Sequence, residues 1–488
     1  MNQNKKYIAV TIGPIFDTMS LVSTPAALWI SSYLFSCITG TICELLLQNG
    51  VKEEEIITPY YSQTDTALLN KKDGVGLFHD RIIFEAENFD IKNFNSIKEA
   101  TLSKISSVFE LDLDYLKEYL QIAAVKYEAE NPIFGCDAIL NSRELEKPFV
   151  AEDTEQPLLK MLFADEGIAN KWIKDIAKKL GVFEKWQLSD GKNIKNLNMI
   201  VNPNPELKAK MKKHCYYAIV RSDGDHMSKI ISSLDGDKQF RQFSKTCLSY
   251  CSAIADEVAK FDGVTVYAGG DDLLAILPCE NKYGETPFEF IKKANEIFNG
   301  FFKTYNKPTS LSFGITMCYY KFPLYEALED SANLLFGVAK DKNRKNCAVI
   351  RLQKHAGQSE GLIIPNAALN EFLALKNVIV DSAQTEKADE DDRVIVSALH
   401  KIALFEHLLK AAEDDREEIV TLFKNIFDSG EQQTKFLREI LPDFYYKLKT
   451  NLKIDVMDND GIRDDSVTEI NYILRVLKFF NEKAGENE

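Results

Sequence analysis

The sequence predicts an α+β chain built on one strand-and-helix order that occurs twice, with a helical stretch between the two copies and another after them. Two observations carry this. Short β-prone runs bounded by Gly and Pro alternate with longer segments of helical period. The same succession of elements also begins near residue 6 and again near residue 216.

In the first copy, residues 6–12 read as a strand closed by the turn Gly13-Pro14, and residues 24–47 read as a helix with Pro25 just inside its start. Short strands follow at 55–60 and 81–85, then an amphipathic helical stretch at 91–128. Strand, helix, strands, helix is the order of a ferredoxin-like or palm unit, here residues 1–131. Residues 132–213 read as a helical insert, with Trp172, Ile173, Ile176 and Leu180 at helical spacing and Asn202-Pro203-Asn204-Pro205 as a linker. The second unit, 214–358, has strands at 217–221, 264–268, 273–277, 310–319 and 347–352, and helices at 240–261, 287–305 and 324–340. Residues 359–488 read as a helical bundle entered through an acidic loop at 384–393, with Ile402, Leu404, Phe405, Leu408, Leu409, Tyr472, Ile473, Val476 and Leu477 facing its core.

Composition narrows the function. With 59 Lys and Arg against 74 Asp and Glu, the net charge is -15, which argues against a surface that binds nucleic acid throughout. The apolar stretch 26–47 contains Trp29, Ser31, Ser32, Tyr33, Ser36, Thr39, Thr41 and Glu44, so it reads as a buried helix and no membrane partner is expected. No basic segment with a cleavage site precedes it, and a cytoplasmic location is expected. The nine cysteines contain no Cys-x-x-Cys pair, so no structural zinc is expected; Cys247 and Cys251 share an apolar helix stripe and read as core. Asp458-Asn459-Asp460-Gly461 resembles part of a calcium loop, but Val456 and Val467 would occupy its first and twelfth positions, so it reads as a turn.

The chemistry concentrates in the second unit. Val264 to Ala268 and Leu273 to Leu277 are hairpin arms joined by Gly269-Gly270-Asp271-Asp272, where glycine supplies the positive φ of a tight turn. Two adjacent carboxylates there repel unless a cation or solvent neutralises them. The second motif, Asp223-Gly224-Asp225, ends the strand at 217–221. Paired strands lie about 4.8 Å apart, so pairing of that strand with the hairpin would let Asp223 and Asp271 reach one divalent cation. Oxygen-only ligands suit Mg²⁺ or Mn²⁺, and two such ions meet the needs of phosphoryl transfer. Either motif alone reads as an ordinary turn; both at strand ends of one palm-like unit point to a metal site.

Asp223-Gly224-Asp225-His226-Met227-Ser228-Lys229, the Gly-Gly-Asp-Asp hairpin, Ser312-Phe313-Gly314-Ile315, Lys321-Phe322-Pro323-Leu324, Ala339-Lys340, Asn346 and Lys354-His355-Ala356-Gly357-Gln358 resemble the large subunit of type III CRISPR effector complexes, the Cmr branch in particular. Ile12-Gly13-Pro14 and Leu28-Trp29-Ile30-Ser31-Ser32-Tyr33-Leu34 resemble that family's first, non-catalytic palm. The resemblance implies an enzyme that makes an adenylate second messenger, most simply a cyclic oligoadenylate, from ATP when a guide-RNA complex with its other effector subunits binds target RNA. It implies Asp223 and Asp271 as metal ligands, with the Gly224 carbonyl and Asp272 assisting the metal or the attacking hydroxyl. Asp225, Gly269, Gly270 and Lys340 would line the nucleotide, Lys340 on phosphate. The alternatives are AMP conjugation to S-adenosylmethionine at the same site, an inactive scaffold, or a free-standing diguanylate-type cyclase.

Departures from the family matter. Only a few residues precede the first strand, so no HD nuclease is expected, and His79-Asp80 reads as coincidence. Ser23-Thr24-Pro25-Ala26-Ala27 replaces a usually basic stretch, and His226 and Ser228 replace commoner residues of the Asp-Gly-Asp motif.

Overall fold

Strand β1, Lys5–Gly13, is apolar on both faces because both are covered: Ile8, Val10 and Ile12 point into one core, Tyr7 and Ala9 into another. It lies in a four-stranded sheet with β2 (Ile56–Thr58), β3 (Arg81–Glu85) and β4 (Gln121–Ala129), in the order β2-β3-β1-β4 and antiparallel throughout. The computed structural model describes residues 5–20, 22, 24–64, 74–144, 166–182, 196–201, 205–341, 344–355, 357–381, 388–412, 415–427, 436–452 and 466–483. Residues 202–204, 384–387 and the Asp458 to Gly461 turn lie outside the described residues, whereas 388–393, expected as part of an acidic loop, open the helix Ala388–Leu404.

The second sheet repeats this core. Strands β5 (Tyr216–Asp225), β6 (Val264–Gly269), β7 (Asp272–Pro278) and β8 (Ser310–Tyr319) follow the same order, and β9 (Cys347–Gln353) and β10 (Ser359–Pro365) extend it to β10-β9-β8-β5-β7-β6. The expected boundary at 358 falls in the β9–β10 turn, so the sheet continues to Pro365. A second correction concerns residues 121–129. Gln, Ala, Lys and Glu favour a helix there, yet all nine residues pair with β1, and the ladder overrides local propensity. The helical stretch instead breaks at Phe109, with Glu110 in the left-handed conformation, and resumes only over Leu113–Tyr119.

Helix α1, Pro25–Gln48, starts at a Thr24 cap and is buried along most of its length. Among the described residues it is the one helix long and apolar enough to cross a membrane. Its burial has a different cause: it packs on α2 (Phe94–Phe109) and β1 on one side and on β6 of the second palm on the other. Trp29, fully buried, stacks on Tyr33 with ring centroids 5.4 Å apart and donates its indole N–H to the Gly74 carbonyl. Gly76 then bridges to Tyr267, and the Ala268 amide donates to the Gly76 carbonyl at 3.1 Å. The two palms therefore share one core, which contains α1, Tyr217, Ile219, Val266 and Leu274.

The opposite face of the second sheet carries α3 (Asp237–Lys260) and α4 (Pro287–Phe302), with Cys247 and Cys251 buried in that core. The C-terminal helices join it as well: Phe372, Phe444 and Phe480 belong to the same cluster, and buried Lys376 pairs with Glu289 at 2.7 Å. Ile402, Leu409, Ile473, Val476 and Leu477 face the core as expected, but Leu404, the last residue of the helix Ala388–Leu404, and Leu408 are exposed. Of the insert's described helices, Pro132–Glu144 and Glu166–Lys179 pack onto the first palm, with Ile173 and Ile176 in its core, whereas Leu197–Val201 packs against β5 and β7 of the second.

Candidate active site

The hairpin forms as read, with a tighter turn. Gly269 pairs with Asp272, leaving a two-residue loop in which Gly270 takes φ +68°. Gly269 stays in the strand, where any Cβ would strike the Tyr267 ring. Both glycines thus shape the turn.

Strand β5 runs further than the expected 217–221 and carries the second motif within the sheet. It pairs with β7 through Ser222 and Leu273, which sets Asp223 beside Asp272, and with β8 through Asp223↔Ser312 and Asp225↔Ser310. Asp271, at the tip, lies over Gly224, whose amide donates to its carboxylate. A Cβ on Gly224 would sit 2.6 Å from Asp271 Oδ2 and 2.8 Å from Met227 Cγ, so only glycine allows this approach. Asp223, Gly224, Asp271 and Asp272 are thereby brought together from two strand ends.

Asp225 and Lys340 have other duties. The Asp225 side chain is fully buried and accepts from Ser310 Oγ (2.6 Å), Ser312 Oγ (2.9 Å), the Asn346 amide (2.9 Å) and Lys340 Nζ (2.9 Å). Lys340 also donates to the carbonyls of Asp223 (2.8 Å) and Gly224 (2.7 Å) and pairs with the Asp223 carboxylate. A π-helical turn, Asn333–Ala339, delivers it there at the end of α5 (Leu324–Ala332), with the Lys340 amide bonded to the Leu335 carbonyl. Burial opposes its charge, but Asp223 and Asp225 hold its pKa above the usual lysine value. An ammonium has three N–H donors, and oxygens of Asp223, Gly224 and Asp225 already engage them. The pair that the resemblance places on the nucleotide forms an internal brace of β5. The serines of Ser310-Leu311-Ser312, alternate residues in an otherwise apolar strand, were the signal for it.

Electrostatics explain what the carboxylates lack. Burial and the Asp223 charge push Asp271 up to about 7, with Lys340 opposing. Asp272 is raised as well, by burial first and then by Asp223 and Asp271. Lys340 therefore leaves negative charge unmet. Among the described residues no group of three or more His, Cys, Asp or Glu side chains is gathered as a ready metal cage. The donor chemistry nevertheless fits a hard divalent cation: three carboxylates at one sheet end, all oxygen, repelling one another. Asp223, Asp271 and Asp272 are the residues that would hold it. Gly224→Ala is expected to displace Asp271, lowering Mn²⁺ affinity about tenfold or more while costing about 1–3 kcal/mol of stability; Mn²⁺ titration and thermal melts measure the two.

His79 has a structural role. Its Nδ1 accepts from the Arg81 amide (3.3 Å), its Nε2 bonds Thr58 Oγ1 (2.8 Å), and burial lowers its pKa to about 4.

Residues 216–349 match the family described as "Cas10/Cmr2, second palm domain". The CRISPR system Cmr subunit Cmr2 of Pyrococcus furiosus is 29% identical over 289 residues, 54% of this chain but 30% of that subunit's own length. A chain in the apo type III-B Cmr-beta complex shares the fold with a TM-score of 0.62 at 13% identity, covering 97% of this chain and 81% of its own. A chain of the Csm1–Csm4 cassette in complex with pppApA does so with a TM-score of 0.56 at 13% identity, over 98% and 69%. The stretch similar to the Cas10/Cmr2 second palm, residues 216–349, is the one that carries Asp223, Asp271 and Asp272.

Proposed function

We propose that this chain is the nucleotidyltransferase of an RNA-guided type III antiviral complex, joining ATP units into a cyclic oligoadenylate once target RNA is bound. The observation that carries the reading is the convergence of Asp223, Asp271 and Asp272 on Gly224 at one end of the second palm. In each step a 3′-hydroxyl oxygen bonds to an α-phosphorus, the bond to pyrophosphate breaks, and the hydroxyl proton is lost. Mg²⁺ or Mn²⁺, when bound, supplies acidity for that hydroxyl and charge neutralisation for the triphosphate. The three carboxylates would hold such cations, Gly224 admits Asp271, and the Asp225–Lys340 brace ties β5 beneath them. With a net charge of -15, the chain leaves guide and target RNA chiefly to its partner subunits.

The test assembles the complex with guide RNA, target RNA, ATP and Mg²⁺ or Mn²⁺ and reads the nucleotides by mass spectrometry. A target-dependent oligoadenylate, lost in Asp271→Ala with Asp272→Ala, is expected. An AMP conjugate of S-adenosylmethionine would redirect the product assignment. No target-dependent product, or one indifferent to the double substitution, sinks the enzyme reading.

A further inference from the structure

Strand β5 is uncharged from Tyr216 to Val220 and then carries a single cation, Arg221, two residues before Asp223. Residues two apart on a strand share a face, with Cα atoms about 6.8 Å apart. Arg221, Asp223 and Asp225 therefore line one side of the sheet. Across the ladder Arg221 pairs with Leu274, and Asp272, two residues back on β7, lies on the same side and within electrostatic reach of the guanidinium.

Arg221 is partly buried, and it is held in place by one bond. Ser331 Oγ donates to the Leu328 carbonyl at 2.8 Å, which leaves its lone pairs to accept from Arg221 Nε at 3.2 Å. Gly314 makes that grip possible: a Cβ there would strike the Ser331 carbonyl oxygen and the Leu335 amide, so a larger residue would push the helix off the sheet. Arginine has five N–H donors. One is spent on Ser331; the four on Nη1 and Nη2 find no acceptor among the described residues.

A partly buried guanidinium pinned through Nε, with its Nη atoms not sealed from solvent, presents its two-pronged edge to an incoming ligand. That edge is the one that matches two phosphate oxygens at once. Lys340, the other cation on this face, is already engaged by oxygens of Asp223, Gly224 and Asp225. We infer that Arg221 grips the polyphosphate of the nucleotide held at Asp223 and Asp272, with Ser331 as its positioning residue, and that Lys340 stays in the brace. This rests on the nucleotidyltransferase reading of the same site.

Two measurements test it. In the target-loaded complex, Arg221→Gln is expected to raise KM for ATP about 10- to 100-fold, the scale of a hydrogen bond to a charged group, with a smaller change in kcat. Arg221→Lys restores part of the affinity, since a point charge replaces a fork, and Ser331→Ala gives an intermediate KM. In parallel, calorimetry on the full-length chain with Mn²⁺ measures binding of inorganic tripolyphosphate, which should weaken about tenfold or more in Arg221→Gln. Unchanged KM and unchanged tripolyphosphate affinity overturn the inference, as does a loss confined to target-RNA affinity. If the wild-type complex makes no product but tripolyphosphate binding still depends on Arg221, the nucleotidyltransferase reading fails and the anion site stands. Should Arg221→Gln not fold, Arg221→Lys carries the test, and tripolyphosphate affinity equal to wild type then overturns it.

Discussion

Asp271→Asn is expected to raise the melting temperature of the metal-free protein at pH 8, abolish any further rise on adding Mn²⁺, and cut product formation at least about 100-fold. The sign follows from the site's charges. In an unfolded chain an aspartate ionises near 3.9, whereas burial and the neighbouring Asp223 push Asp271 up to about 7. A carboxyl raised in this way holds its proton more tightly when folded. Stability is therefore lost as pH climbs from about 4 to about 7 and stays lowered above that. Asparagine keeps an oxygen for the Gly224 amide but carries no charge, so at pH 8 it removes a penalty of up to about 4 kcal/mol. At pH 5, where wild-type Asp271 is largely protonated in the fold but mostly ionised when unfolded, the difference should shrink to about 1.5 kcal/mol. Melts at both pH values, with and without Mn²⁺, check this; equal melting temperatures at pH 8, or a Mn²⁺ response in both proteins, would contradict it. The expected pattern, a more stable and inactive variant, is that of a site whose carboxylates are kept together at the expense of stability.

Much of this arrangement could be read in the sequence because it depends on local patterns. Alternation and turn residues placed β5 to β9, and repetition of their order revealed the doubled palm. What escaped was set by pairing partners far away in the chain. Residues 121–129 have helix-forming composition and become a strand only because β1 offers an edge. Residues 223 and 225 look equivalent as an Asp-Gly-Asp motif, and they even share a strand face; they part because the hydroxyls of Ser310 and Ser312 both bond the Asp225 carboxylate, although Ser312 stands opposite Asp223 in the ladder. Lys340 follows from that choice, since a buried Asp225 draws the ammonium inward. Arg221 was visible all along as one charge in an apolar strand. Its meaning depended on Ser331, a hundred and ten residues away, taking only one of its donors.

Lys340→Met is expected to lower stability by about 3–5 kcal/mol near neutral pH, through the second palm. Methionine matches much of the side chain's length and removes only the charge and its donors. The Asp225 carboxylate, with no solvent exposure, then keeps its bonds to Ser310, Ser312 and the Asn346 amide but loses the cation that balances it. The carbonyls of Asp223 and Gly224 lose their shared donor in the same step. A lysine whose work was confined to gripping phosphate would behave otherwise: its loss would leave the melting temperature alone and raise KM for ATP. Adding Asp225→Asn to Lys340→Met separates the two roles, since neutralising the stranded carboxylate should recover part of the lost stability, a coupling that a double-mutant cycle reads directly. Recovery would place Lys340 in the scaffold of β5 and leave Arg221 as the cation available to the nucleotide; an unchanged melting temperature in the single variant would return the phosphate role to Lys340.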